Sequence, residues 1–470
     1  MSLNDQSVHS SDFMGTDPIP RLLLRFATPA VISAFINCIY NVVDRLYIGR
    51  SVGADGQAGL ALTFPIMIIL MAFGMMIGQG TATVVSLLLG EKRPKDAEKV
   101  LGQAFAMFIL FIFTVQIGAL VYLDKLLVLF GGTKQAIPYA HEYLSIILWG
   151  NIFQHISFGL SAVIRAEGSA NKAMFIILLG CISNIILDPI FIFTFHMGIA
   201  GAAYATVISM FLSSVWVIIH FSRAQGVIRL YPRNIRLYRK FFWRVLAIGI
   251  APCLMQFVHS AIVIIFNHSF NHYADNEAHA TLAIGAFGIA NSVLMLMLMP
   301  CFGILQGMQP IVGFNTGSRQ FDRVKSTLKL SVSSAMGISV IIAAITALAA
   351  PWIALCFSKD DALNNLVVYV LRASCTGFAF IAPGMIVGNY YQSVGRAMIA
   401  CILSLSRQCI VLLPVLIILP RMFGFLGIWW SGPVSDTVSG IACLIMGILE
   451  CKRLNRLIAR QKDSLPQNAL

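Results

Sequence analysis

The chain has 470 residues, 58% of them hydrophobic and only 11% Asp, Glu, Lys or Arg, with a net charge of +13. A soluble domain carries roughly 25% charged residues, so a soluble enzyme is excluded: its surface could not be covered, and a mean hydropathy of +0.81 agrees. The positive balance fits either an anionic partner such as nucleic acid or the loop bias of a membrane protein, and placement decides between them.

In chain order, residues 1–20 form a polar tail ending at Pro18 and Pro20, with no apolar h-region of a cleaved signal peptide. Apolar segments follow at 24–47, 59–88, 100–123, 141–163, 171–195 and 199–221. A basic linker at 223–242 precedes six more, at 243–267, 281–312, 328–355, 364–391, 397–419 and 425–449, and a basic tail at 451–470 closes the chain. Each segment reaches the roughly 20 residues that cross a bilayer. Backbone polar groups in hydrocarbon need internal partners, so these long, continuous runs are helices.

With the N-terminus inside, the connections on that side hold Lys92, Arg93, Lys95 and Lys99, then Arg165 and Lys172, then seven basic residues of the linker region. Arg319, Arg323, Lys325, Lys329, Arg396 and the basic tail follow on the same side. The opposite side holds only Arg50, Lys125, Lys134, Lys359 and Arg421. That asymmetry predicts both termini in the cytoplasm of a multi-pass cell-membrane protein, and it removes the case for nucleic acid.

The two halves resemble each other. Phe-Ala-Thr-Pro-Ala at 26–30 echoes Gly-Ile-Ala-Pro-Cys at 249–253, and Gly198-x-x-Gly201 matches Gly424-x-x-Gly427. Six is even, so both halves start on one side and the repeats are parallel. The expected fold is an all-α integral membrane protein. Its twelve helices form two parallel six-helix repeats, an N-lobe at 21–222 and a C-lobe at 243–450, around a central cavity.

Several blocks resemble the multidrug and toxic compound extrusion (MATE) family over nearly the whole chain. They are Pro29 with Asn41-Val-Val-Asp44-Arg-Leu-Tyr-Ile-Gly49, Gly78-Gln79-Gly80, and Arg165-Ala-Glu-Gly168. The most specific is Asn184-Ile-Ile-Leu-Asp188-Pro189 with the downstream Gly198-x-x-Gly201 and Thr206. The resemblance implies cation-coupled antiport, with organic compounds leaving and H⁺ or Na⁺ entering. It also implies a coupling site at Asp44, Asn184, Asp188 and Thr206, as in archaeal and some bacterial members.

The residues support such a site independently. Only Asp44, Asp188 and Asp436 are acids clearly within spans, and a carboxylate there is costly enough to mark function. Asn184 and Asp188 are four apart, on one helix face. Asp188 and Thr206 each lie about 12 Å below the outer surface at 1.5 Å per residue. Pro189 frees the Ile185 carbonyl and predicts a kink. Asp436 and Arg407 are expected to form an ion pair in the second half, where Gln256, His259, Asn267 and His268 stand in place of the acids of another subgroup.

Asn37, Asn41, Gln79, Gln154, Met295 and Gln306 are the expected substrate-cavity residues, being polar or adaptable positions within spans. No protein cofactor and no structural metal is expected: His268, His272 and His279 read as an exposed loop, and Gly78-x-Gly80 lacks the lysine of a phosphate loop. The partners expected are small organic molecules, mostly cationic, and membrane lipid, with the chain acting as a monomer. The alternatives are a lipid-linked glycan flippase or a channel. A flippase cavity wants several cations, and only Arg45, Arg372 and Arg407 lie within spans.

Overall fold

The computed structural model describes residues 11–130, 135–223, 226–357 and 360–463. The side chains at 45, 49, 50, 52–58, 112, 113 and 462 lie outside that description. Arg45, Arg50, Lys134, Lys359 and the far ends of both tails, named above, therefore fall outside it too.

Among the described residues the elements are helical and there is no strand. Twelve helices are long and apolar enough to cross a membrane. They are α1 Ile19–Ile48, α2 Gly59–Gly90, α3 Pro94–Val121, α4 Ala136–Ala166, α5 Ala170–Thr194 and α6 Gly198–Ser222. The second six are α7 Arg239–Tyr273, α8 Glu277–Gly317, α9 Phe321–Phe357, α10 Asp361–Ser393, α11 Ala397–Phe423 and α12 Phe425–Gln461. Most outrun the roughly 20 residues a bilayer needs and must tilt or protrude.

Two details depart from the sequence reading. The backbone is helical without interruption from Ile19 to Gly90, through the expected break between α1 and α2. The connection holds no proline, so no amide donor is lost there. His268 and His272, expected in a loop, lie within α7, which runs to Tyr273. The turn that follows is short, and Asn276 caps α8 by accepting from the His279 amide at 2.8 Å.

The chain forms two compact units. One is built on Thr28–Gln256; the other combines Pro18–Ala27 with Phe257–Leu470. The first few residues of α1 thus belong with the second unit, where a Cβ on Gly307 would lie 2.8 Å from the Ala27 amide nitrogen. The start of α7 belongs reciprocally with the first, where Gly80 abuts the Val245 carbonyl. In the second unit the core joins α7, α8, α10 and α12 through Phe270, Phe287, Phe378 and Trp429, with the Phe270 and Trp429 rings 4.6 Å apart.

The internal repeat is written in close helix approaches. Gly150 of α4 receives the side chain of Val207 from α6, and Gly377 of α10 receives Pro433 of α12. Gly198 and Gly424 both take positive φ, 54° and 60°, at the entry to their helices. Gly201 lies against the Phe191 backbone, and Gly427 lies against the Leu419 carbonyl. A side chain at either position meets backbone, which cannot rotate away. Gly427→Ala is expected to cost about 1–3 kcal/mol by overpacking, whereas Gly432→Ala, with open space around it, is expected to be neutral or stabilising. Thermal unfolding of the purified variants in detergent compares them; equal midpoints would contradict this account.

The linker is held by side chains of the first unit. Buried Glu167, at the end of α4, accepts from the His220 ring of α6 and from the amides of Val227 (3.1 Å) and Ile228 (3.5 Å). Glu98 accepts from the Arg229 amide at 3.3 Å and Gln103 from the Tyr238 amide at 2.9 Å. Each hydrogen bond to a charged acceptor contributes about 1.5–3 kcal/mol. Glu167→Ala is therefore expected to loosen residues 226–228, read as faster proteolytic nicking of the linker than in the parent protein.

Candidate functional site

The sequence-marked acids of the first half meet in one buried cluster. Asp188 is fully buried, and Asn184, Thr206 and Asp44 are 2%, 4% and 8% exposed. Asn184 sits one turn before Asp188 on α5 and bridges two helices. Its Nδ2 donates to Asp188 Oδ1 at 3.2 Å and to Thr206 Oγ1 of α6 at 3.1 Å. Asp44 of α1 interacts side chain to side chain with Asp188.

Local backbone chemistry positions these groups. Pro189 has no N–H, and directly after it the helix changes to a π turn over Ile190–Thr194. The expected interruption of α5 is thus a widened turn. Gly201 lets α6 approach that turn at Phe191, which brings Thr206 level with Asn184.

Asp188 Oδ2 and Asn184 Oδ1 have no hydrogen-bond partner among the described residues. Orphaned buried oxygens are uncommon in folded proteins. Here two of them adjoin a hydroxyl and a second carboxylate, a hard-oxygen set suited to a proton or a small hard cation. Among the described residues no group of three His, Cys, Asp or Glu side chains is arranged to hold a metal.

Two tyrosines belong to the same neighbourhood and escaped the sequence reading. Tyr143 of α4 is buried against Thr206 and within electrostatic reach of Asp44 and Asp188. Tyr40 of α1 is within reach of both acids as well. Tyr40 precedes Asp44 by one helical turn, so its place was recoverable from spacing. Tyr143 carried no local signal.

The remaining expected residues scatter by unit. In the first, Asn37 and Asn41 lie on exposed α1 surface. Asn41 Nδ2 donates to the Asn37 carbonyl at 2.6 Å, and Asn37 Nδ2 approaches Cys181 Sγ at 3.9 Å. Gln79 and Gln154 are half-buried. In the second unit Met295 and Gln306 are half-buried on α8, one turn or more from each other.

Arg407 and Asp436 do come together: Arg407 Nη1 donates to Asp436 Oδ1 at 3.1 Å. Arg407 sits in a π stretch over Ser406–Leu412, and its carbonyl accepts from Ser435 Oγ at 2.7 Å. His259 of α7 lies within electrostatic reach of Arg407.

A family model described as MatE matches the chain twice, over residues 29–190 and 251–418, once in each half. The multidrug export protein MepA of Staphylococcus haemolyticus is 26% identical over 448 residues, covering 95% of this chain and 96% of that protein. MepA of Staphylococcus aureus is 25% identical over 438 residues, with 93% and 95% covered. A solved MATE transporter in an outward-facing conformation superposes with a TM-score of 0.88 at 23% identity, covering 95% of this chain and 99% of that one. A superfamily transporter from Pyrococcus furiosus gives the same score and identity, with 95% and 98% covered.

Proposed function

Given that this chain belongs to the MatE family of multidrug efflux transporters, we propose that it is a secondary antiporter exporting organic cations in exchange for H⁺ or Na⁺ at the cluster of Asp44, Asn184, Asp188 and Thr206. The observation that carries the reading is the buried carboxylate pair, with Asn184 tying Asp188 to Thr206. Two acids facing each other away from water repel unless a cation lies between them. An organic cation or an incoming H⁺ or Na⁺ relieves the same repulsion, so the two compete for one site. Entry of the ion releases the drug, and departure of the ion readies the site for the next.

In this reading the lobes at 21–222 and 243–450 alternate access, with both termini in the cytoplasm and the chain working as a monomer. Asn37, Asn41, Gln79, Gln154, Met295 and Gln306 line the drug's route. The reading is checked in proteoliposomes loaded with a fluorescent lipophilic cation, with proton and sodium gradients imposed separately. Efflux driven by one gradient identifies the coupling ion. Efflux that ignores both would refute antiport.

A further inference from the structure

The second unit holds an open groove of about 400 Å³ between α10 and α12, lined by the exposed side chains of Asn365, Tyr369, Arg372, Thr376 and Trp430, which the antiport reading does not use. One wall is a single face of α10: Asn365, Tyr369, Arg372 and Thr376 recur at three- and four-residue spacing. Trp430 of α12 forms the other wall, and its indole donates to the Tyr369 hydroxyl at 3.0 Å. That phenol retains its own O–H to donate.

Among the described residues, Arg372 is the only charged side chain lining the groove. Its Nε donates to the Ala347 carbonyl of α9 at 3.3 Å. A guanidinium carries five N–H donors, and among the described residues no carboxylate pairs with this one. Arg407 of α11, by contrast, is paired with Asp436. A cation kept within a membrane span without a protein counter-charge is costly, and the volume is within the roughly 300–1,000 Å³ of small-molecule sites. A flat guanidinium matches a carboxylate in two-point geometry, and the Tyr369 and Trp430 rings offer stacking surface beside it.

We propose that this groove is a binding subsite for the carboxylate of an aromatic organic acid, a ligand class opposite in charge to the organic cations of the antiport reading. Ion coupling is not needed for it, so the two readings fail separately. An anionic lipid headgroup would offer the guanidinium similar chemistry, but an acyl lipid gives the two aromatic rings nothing to stack upon.

The test is equilibrium binding of naphthoate to the purified full-length protein in phosphatidylcholine nanodiscs, with neutral naphthamide alongside. Naphthoate is expected to bind more tightly than naphthamide. Arg372→Gln is expected to weaken naphthoate about tenfold, the scale of a lost hydrogen bond to a charged group, and to leave naphthamide unchanged. Arg372→Lys restores part of the loss. A thermal unfolding midpoint equal to that of the parent protein shows that the Arg372→Gln variant is folded. The proposal is overturned by naphthoate binding that is indifferent to Arg372→Gln, by naphthamide binding as tightly as naphthoate, or by Arg372-dependent displacement of naphthoate when phosphatidylglycerol is added to the discs, which would make the groove a lipid seat.

Discussion

Asp188→Asn yields a folded, membrane-inserted protein whose gradient-driven efflux falls by about two orders of magnitude, roughly the share attributable to a single essential proton-handling group. The exchange preserves shape. Asn184 Nδ2 still meets an oxygen at position 188, so the bridge to Thr206 survives, and the loss is one of charge. Asp188 is fully buried, and the oxygen that loses its charge has no partner among the described residues. With only Asp44 ionisable, the repulsion through which ion and drug are proposed to compete is gone. The variant should still bind a lipophilic cation weakly, yet that binding should no longer respond to an opposing proton or sodium gradient. Measuring bound cation and driven efflux on one preparation separates the two effects. Full coupled efflux by both Asp188→Asn and Asp44→Asn would remove the cluster from the mechanism.

How much of this was readable beforehand follows from the range of each interaction. The twelve spans come from continuous apolar runs, a local property, and the family match in each half agrees with the repeat. The Asn184–Asp188 contact is one helical turn, and Thr206 follows from counting depth along two adjoining spans. Tyr143 reaches the same cluster from α4, and nothing in its own neighbours announces this. Glu167 belongs to the Arg165-Ala-Glu-Gly168 motif, but its bonds to Val227 and Ile228 span about sixty residues of sequence and leave no local trace. The π turns after Pro189 and around Arg407 depend on how neighbouring helices take up the displaced carbonyls. His268 and His272 lie beyond the continuous apolar run, which ends at 267, yet their backbone continues the helix of α7.

Arg407→Met is expected to destabilise the second unit by about 3 kcal/mol, the lower end for breaking a buried ion pair. The lower end applies because the side chains retain 28% and 17% exposure, so water screens part of the stranded charge. The penalty is the stranded Asp436 carboxylate and not the bond itself. Removing both charges should therefore recover most of the loss: Arg407→Met with Asp436→Leu is expected to unfold near the parent temperature, well above Arg407→Met alone. The cycle also bears on role. If the pair only fixes α11 against α12, aided by Ser435 bonding the Arg407 carbonyl, the double variant exports drug normally. If Asp436 instead carries a proton during transport, the double variant is stable and inactive. Thermal unfolding and driven efflux on the same four proteins distinguish these outcomes, and a double variant as unstable as the sum of its parts would contradict the ion-pair account altogether.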